Sequence, residues 1–475
     1  MASVAAADRT VSPTELRHSF SLAMSKIYQD EVPLYSDLLR LVFSVNATVL
    51  STQPLISEKM QATNQLDRLH YERHGAIRLG TAEELALMAR FFALMGMEPV
   101  GYYDLAQPPA NLPIHATCFC CLDLESLLLN PFRMFVSLLR PELISSPTLR
   151  SKALSILSRR KIFSSRALEL MVSAESRGGL LESQAEEFVH EGLKPFRWSG
   201  KATVSQEEYR ELQEESPLLA DIVGFPGPHI NHLTPRTLDI DAVQRGMEEN
   251  HIPMKDLIEG PPARKCDILL RQTSFQALEE KVYFPVVHTA NGDTVDMVLG
   301  SHTARFGEIE QRGAALTAKG RQLYDSCVTK AWMQNVTAAD TQAYGQIFEP
   351  IPDSWEELRT QKLAYFRYYP VVGATKSASD GGRTIENLVQ QGKVAYEPLT
   401  YEEFLPLSAA GIFQSNLKRK GSSGSEDSAS TVDDGGIETL QMALGKAIID
   451  EFGTYKKLQD ESLTICGELF GASSI

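Results

Sequence analysis

The stretch Gly227-Pro228-His229-Ile230-Asn231-His232-Leu233-Thr234-Pro235-Arg236 constrains this chain more than any other. Each proline fixes its own φ and drives the residue before it toward extended backbone, so the segment is predicted to be a short, stiff strand. His229 and His232 stand three apart, an odd spacing that turns them to opposite faces of a strand. A neutral imidazole is the commonest protein ligand for a transition metal. At most one of the pair is therefore expected to face a given site. Two hydrogen-bonded structural histidines are the alternative.

At 475 residues the chain has the length to bury a large core. Its net charge of −15 argues against a general binder of nucleic acid or anionic membrane, since polyphosphate attracts basic surfaces. A local cationic pocket for a small anion remains compatible with that balance. Three of the six cysteines bunch at Cys118, Cys120 and Cys121. Only one Cys-x-x-Cys pair exists, in an apolar strand-like setting, so reduced structural thiols are expected rather than a zinc ribbon or a disulfide framework. The N-terminus has no long apolar core, and no run approaches the roughly 20 residues that span a bilayer. A cytoplasmic protein is expected.

Along the chain, Ser12-Pro13-Thr14-Glu15 opens a first helix with a capping box, and residues 35–50 form a second amphipathic helix. In Glu72-Arg73-His74-Gly75-Ala76-Ile77-Arg78 the pattern turns from helix to strand. There His74 and Arg78 share one face, and Gly75 allows close backbone approach. An arginine beside a metal ligand suits a substrate that carries carboxylates; a surface Arg78 paired with Glu72 is the plainer reading. After Thr81 caps a helix, strands are predicted at residues 98–105 and 114–121, a compact α+β unit. Residues 124–212 read as mainly helical, with runs at 132–139, 149–157 and 167–172. Strands around Asn291-Gly292 form a hairpin. The segment from Ser301 to Gly313 then carries His302, Arg305, Glu308, Glu310 and Arg312, a charge density that suits either a site or an exposed edge. A Ser/Gly/acidic insert follows, almost devoid of apolar residues.

His74, His232 and Glu308 each lie on a predicted strand beside glycine or proline. Two imidazoles and one carboxylate are the donor set of a non-haem Fe(II) site that leaves positions open for substrate and oxygen. A chain of this length offers many such triplets, and a zinc- or manganese-dependent lyase or hydrolase would use the same donors. A metabolite-binding protein without turnover is the other class.

Five separated blocks, in order, narrow the choice. They are the His74 segment just quoted, Gly96-Met97-Glu98-Pro99-Val100-Gly101-Tyr102-Tyr103-Asp104-Leu105, the His232 segment, His302-Thr303-Ala304-Arg305-Phe306-Gly307-Glu308-Ile309-Glu310-Gln311-Arg312-Gly313 and Ser408-Ala409-Ala410-Gly411-Ile412-Phe413-Gln414-Ser415-Asn416. Together they resemble the 2-oxoadipate dioxygenase/decarboxylase family. The resemblance implies an α+β fold in which a curved sheet like that of the vicinal-oxygen-chelate group encloses a metal site and is surrounded by helices. It implies Fe(II), and conversion of 2-oxoadipate and O2 to 2-hydroxyglutarate and CO2 in lysine breakdown. His74, His232 and Glu308 match the metal ligands; His232 is preferred to His229, and Glu308 to Glu310, by motif position. Arg78 matches the substrate-binding arginine, and Leu407 and Ser408 a substrate-lining stretch. The expected organisation is a catalytic domain over residues 1–416, with the mainly helical insertion at about 124–212. A disordered insert at 417–437 follows, and then a C-terminal helix at 438–475 packed on the catalytic domain. The expected partners are a small 2-oxoacid and O2, with neither nucleic acid nor membrane.

Overall fold

The computed structural model describes residues 9–107, 110–286, 296–376, 384–404 and 434–472. The chain divides into two compact units, neither continuous in sequence. One holds residues 1–255, 274–309 and 404–448, the other residues 256–273, 310–403 and 449–475.

The strands are β1 Arg73–Leu79, β2 Glu98–Asp104, β3 Ile114–Cys120, β4 Arg133–Leu139, β5 His232–Pro235, β6 Leu270–Ser274, β7 Glu279–Val286, β8 Asp296–Thr303, β9 Phe306–Arg312, β10 Phe366–Pro370 and β11 Val394–Pro398. Seven of them form a mixed sheet in the order β2-β3-β4-β1-β5-β9-β6. Within it β1 runs parallel to β4 and antiparallel to β5, and β5 runs parallel to β9. β7 and β8 make a separate antiparallel ribbon, as the residues around Asn291-Gly292 predict, though the turn itself lies outside the described residues.

In the first unit, helix α1 (Pro13–Glu31) carries the predicted capping box: Ser12 accepts from the Glu15 amide, and Glu15 accepts from the Ser12 amide. Helix α2 (Pro33–Thr52) follows at once, because Pro33 takes the first helical position. Phe20, Phe91, Phe132, Phe188 and Phe196 meet in one buried cluster of edge, tilted and stacked rings at centroid distances of 5.0 to 6.5 Å. Each such ring contributes about 1.5–3 kcal/mol through burial alone. In the second unit, helix Glu451–Phe470 lies on β10. Its Gln459 and Ser462 side chains accept from the Phe366 and Tyr368 amides at 2.8 and 3.0 Å, satisfying strand donors that have no strand partner on that side.

Two expectations change, and one open alternative is narrowed. The run at 132–139 is not helical: it is β4, buried along its whole length and flanked by β3 and β1. The terminal segment is two helices, Asp434–Leu444 and Glu451–Phe470, interrupted at Gly445, whose φ of +69° is left-handed. The first begins inside the expected insert; residues 405–433 lie outside the described residues. Within the segment from Ser301 to Gly313, Ser301 and Thr303 at the end of β8 are exposed, whereas β9 is no exposed edge, since Phe306–Glu310 are all buried. All six cysteines are free and buried, as expected. Among the described residues no helix is long and apolar enough to cross a membrane.

Candidate active site

Three adjacent strands bring the predicted ligands together. In the β1–β5 pair His74 faces Thr234 and Ala76 faces His232, so both imidazoles project from one side of the sheet. The parallel register of β5 with β9 sets His232 against Phe306 and Leu233 against Gly307. Glu308 therefore continues the same face. The Nε2 atom of His74 lies 3.0 Å from Oε1 of Glu308, and the ligand atoms of His74, His232 and Glu308 all fall within 4.8 Å of one another. All three side chains are buried, at 1, 0 and 0% exposure. Thr234 donates to the same Glu308 oxygen at 3.2 Å, and His74 meets Phe404 edge-on at 4.7 Å. Phe404 thereby orients the His74 ring, and Thr234 the Glu308 carboxylate.

Glycines let the strands close on one another at this point. A Cβ on Gly75 would stand 2.6 Å from Cδ1 of Ile230 and 3.3 Å from the carbonyl oxygen of His232. On Gly307 it would fall 2.1 Å from the Phe275 ring. Each glycine adjoins a candidate ligand. Above them, the Tyr28 hydroxyl of α1 reaches the carbonyl oxygens of Phe306 and Asn231 at 2.6 and 3.1 Å, and so ties β9 to the entry of β5.

The chemistry of the donor set fits a divalent transition metal: two imidazole nitrogens and one carboxylate oxygen, drawn from adjacent strands. Such a trio leaves coordination positions for a chelating substrate.

Arg78, further along β1 on the same face, does not pair with Glu72. Its Nη1 donates to Oδ2 of Asp221, on helix Pro217–Gly224. Glu72 is buried and receives Arg68, Arg133 and Arg236 at 3.1, 2.7 and 2.9 Å. It therefore ties together the ends of β1, β4 and β5. Burial alone would raise the Glu72 carboxyl, but Arg68, Arg236 and Arg133 hold it well below the usual range.

His229 turns away from His232, as the odd spacing predicts. It joins Asp221 and His302 in a second buried group whose ligand atoms also lie within 4.8 Å of one another. His302 Nε2 is 2.9 Å and His229 Nε2 3.2 Å from Oδ1 of Asp221, and the Tyr209 hydroxyl is 2.6 Å from His302 Nδ1. Burial would raise the Asp221 carboxyl, but Arg78 and the two histidines hold it well below its ordinary value; burial lowers the His229 imidazole. In the second unit, Glu310 is taken by the Arg312 guanidinium through two bonds of 2.7 and 2.8 Å. Leu407 and Ser408 lie outside the described residues. Asp221 went unread as a site residue in the sequence. Its one signal is a lone carboxylate in the apolar run Leu218-Leu219-Ala220-Asp221-Ile222-Val223.

Residues 20–416 match the sequence profile of the 2-oxoadipate dioxygenase/decarboxylase family. The chain is 48% identical over 474 residues to a Pseudomonas putida protein named 2-oxoadipate dioxygenase/decarboxylase, covering 98% of this chain and 99% of that one. An Escherichia coli K12 protein of the same name is 49% identical over 462 residues, covering 97% and 99%. The crystal structure of the hydroxyglutarate synthase from Pseudomonas putida in complex with 2-oxoadipate superposes with a TM-score of 0.83 at 45% identity, covering 98% of this chain and 99% of that one.

Proposed function

Since the chain belongs to the 2-oxoadipate dioxygenase/decarboxylase family, we propose that His74, His232 and Glu308 are the ligands of a ferrous ion at its catalytic centre, and that Arg78 binds the substrate. The enzyme converts 2-oxoadipate and O2 to 2-hydroxyglutarate and CO2. The single observation that carries the assignment of ligands is the convergence of two imidazoles and one carboxylate from β1, β5 and β9 within 4.8 Å, in complete burial.

The balance of the reaction requires no second reductant. The C1–C2 bond breaks and C1 leaves as CO2; the former keto carbon takes one oxygen atom and becomes a carboxylate. The second oxygen atom enters a C–H bond on the adjacent carbon as the hydroxyl. Each half removes two electrons from the substrate, and together they account for the four that O2 accepts. A ferrous ion bound there supplies the one-electron chemistry that lets O2 react with a closed-shell 2-oxoacid. The chain's own residues do the rest. Thr234 and Phe404 hold the donors in place, and burial keeps bulk water from the reacting carbons. Four residues of strand separate the Cα atoms of Arg78 and His74 by about 13 Å. That separation along one face, with a guanidinium at its far end, supports Arg78 as the group that takes the carboxylate remote from the reacting end.

Anaerobic loading with Fe(II), followed by an oxygen-electrode assay over a panel of 2-oxoacids, tests the reading. O2 uptake is expected to equal CO2 release, with six-carbon dicarboxylic substrates the fastest. CO2 release without O2 uptake, supported equally by zinc or manganese, would point instead to a lyase built on the same donors.

A further inference from the structure

The mechanism so far leaves the second buried group, around Asp221, without a task. We propose that Asp221 is a positioning residue for Arg78: with His302 and His229 behind it, it fixes the plane of the guanidinium so that a substrate carboxylate is met in one orientation only. The proposal rests on the reading of Arg78 as the substrate-binding arginine.

The geometry has a direction. Oδ2 of Asp221 takes Nη1 of Arg78 and, at 3.3 Å, the Asn231 side-chain amide, while Oδ1 takes His302. His302 is gripped in turn by the Tyr209 hydroxyl and lies flat on Trp198, with ring centroids 5.6 Å apart and planes 17° from parallel. A hydrogen-bonded chain thus runs from Tyr209 through His302 and Asp221 to Arg78, buried throughout except at the arginine, whose side chain keeps 11% exposure. An arginine on a flexible stem loses rotamer freedom whenever it binds an anion. Anchoring one nitrogen to an immobile carboxylate removes that freedom before substrate arrives, which is the general route by which preorganisation raises affinity.

Asp221, His229 and His302 also have the composition of a metal site. The arginine argues against that use. Its positive charge already balances Asp221, and a dication on Oδ1 would sit beside a guanidinium in a buried setting of low dielectric. The carboxylate is an anchor for an organic cation, hydrogen-bonded from behind by His302, with the His229 imidazole 3.2 Å away.

The test compares Asp221→Asn, Arg78→Ala and the double variant in the iron-loaded enzyme, with 2-oxoadipate and 2-oxohexanoate as substrates. Asp221→Asn is expected to lower kcat/KM for 2-oxoadipate by about 10- to 100-fold, mostly through KM, with one equivalent of metal retained. The same change should leave 2-oxohexanoate nearly untouched and add little further loss once Arg78 is alanine. A rise in kcat/KM in Asp221→Asn would show a competitor for Arg78 rather than an anchor and overturn the proposal. So would an equal loss in the Arg78→Ala background. A second equivalent of metal in the parent enzyme that disappears in Asp221→Asn would replace it with a second metal centre. If Arg78→Ala itself reacts normally with 2-oxoadipate, the reading of Arg78 fails first, and the proposal falls with it for a distinguishable reason. Should Asp221→Asn not fold, His302→Phe keeps a ring to stack on Trp198 and removes the bonds to Asp221 and to the Tyr209 hydroxyl. It is expected to give a smaller loss, again confined to the Arg78-containing enzyme.

Discussion

At the scale of single residues, two carboxylates of the first unit are committed to opposite tasks. Glu308 faces two imidazoles and a hydroxyl, a setting that offers a cation a seat, whereas Glu72 is surrounded by guanidinium groups that already neutralise it. Substitution should separate the two. His74→Ala, His232→Ala and Glu308→Ala are each expected to abolish turnover and bound metal with the fold retained, read by metal analysis beside circular dichroism. His229→Ala should keep the metal, since its ring serves Asp221. Metal lost with His229 and kept without His232 would reverse the assignment between these two histidines. Arg78→Lys keeps the charge but loses the planar fork, and should cost on the order of 2–5 kcal/mol in kcat/KM with metal content unchanged. His74, His232 and Glu308 were singled out by the motif positions they match in the family, since a chain of this length offers many such triplets, and the fold brings the three together. Asp221 was not singled out, because the partners that give it meaning come from residues 78, 229 and 302, and no spacing rule connects them.

At the scale of elements, the site depends on how closely β1, β5 and β9 approach. Gly75→Ala forces a methyl group against Ile230 and the His232 carbonyl; Gly307→Ala drives one into the Phe275 ring. Overpacking of this kind costs about 1–3 kcal/mol. Gly307→Ala is expected to be the worse, because a buried ring must move where Gly75 meets the tip of an aliphatic chain. Both should lose metal affinity along with melting temperature, and retention of full affinity in either would show that strand spacing does not set the donor geometry. Glu72→Gln leaves buried arginines without their shared carboxylate and should cost about 3–5 kcal/mol in a denaturant titration. The helices were readable from their caps, as Ser12 and Thr81 illustrate. β4 was not, because Met134-Phe135-Val136-Ser137-Leu138-Leu139 is buried on both faces and has lost the alternation that distinguishes a strand from a buried helix.

At the scale of the whole molecule, each unit carries its own dependence on conditions. In the second unit, burial, with Glu451 and Glu402 adding like charge and the Tyr455 hydroxyl pulling the other way, pushes the Glu403 carboxyl up to about 8 from an ordinary 4.5. The folded chain then holds a proton that the unfolded chain sheds. The contribution is full below pH 4.5 and is lost as pH rises through 8. Glu403→Gln is expected to melt progressively higher than the parent as pH goes from 5 to 8.5. Parallel melting curves would show that Glu403 titrates normally. In the first unit the order of assembly is set by the chain itself, because His74 and Glu308 are 234 residues apart. At an ordinary rate of synthesis the carboxylate leaves the ribosome roughly 12–50 s after the imidazole. Throughout that interval the nascent chain displays one or two imidazoles with no carboxylate beside them, and zinc or copper binds nitrogen donors more tightly than ferrous iron does. Once the strands close over a buried ion, exchange requires opening the sheet. The metal present during translation should therefore set what the folded product contains before any Fe(II) is offered to it. Growth in zinc-rich against iron-rich medium, followed by metal analysis of the folded product, reads that history directly.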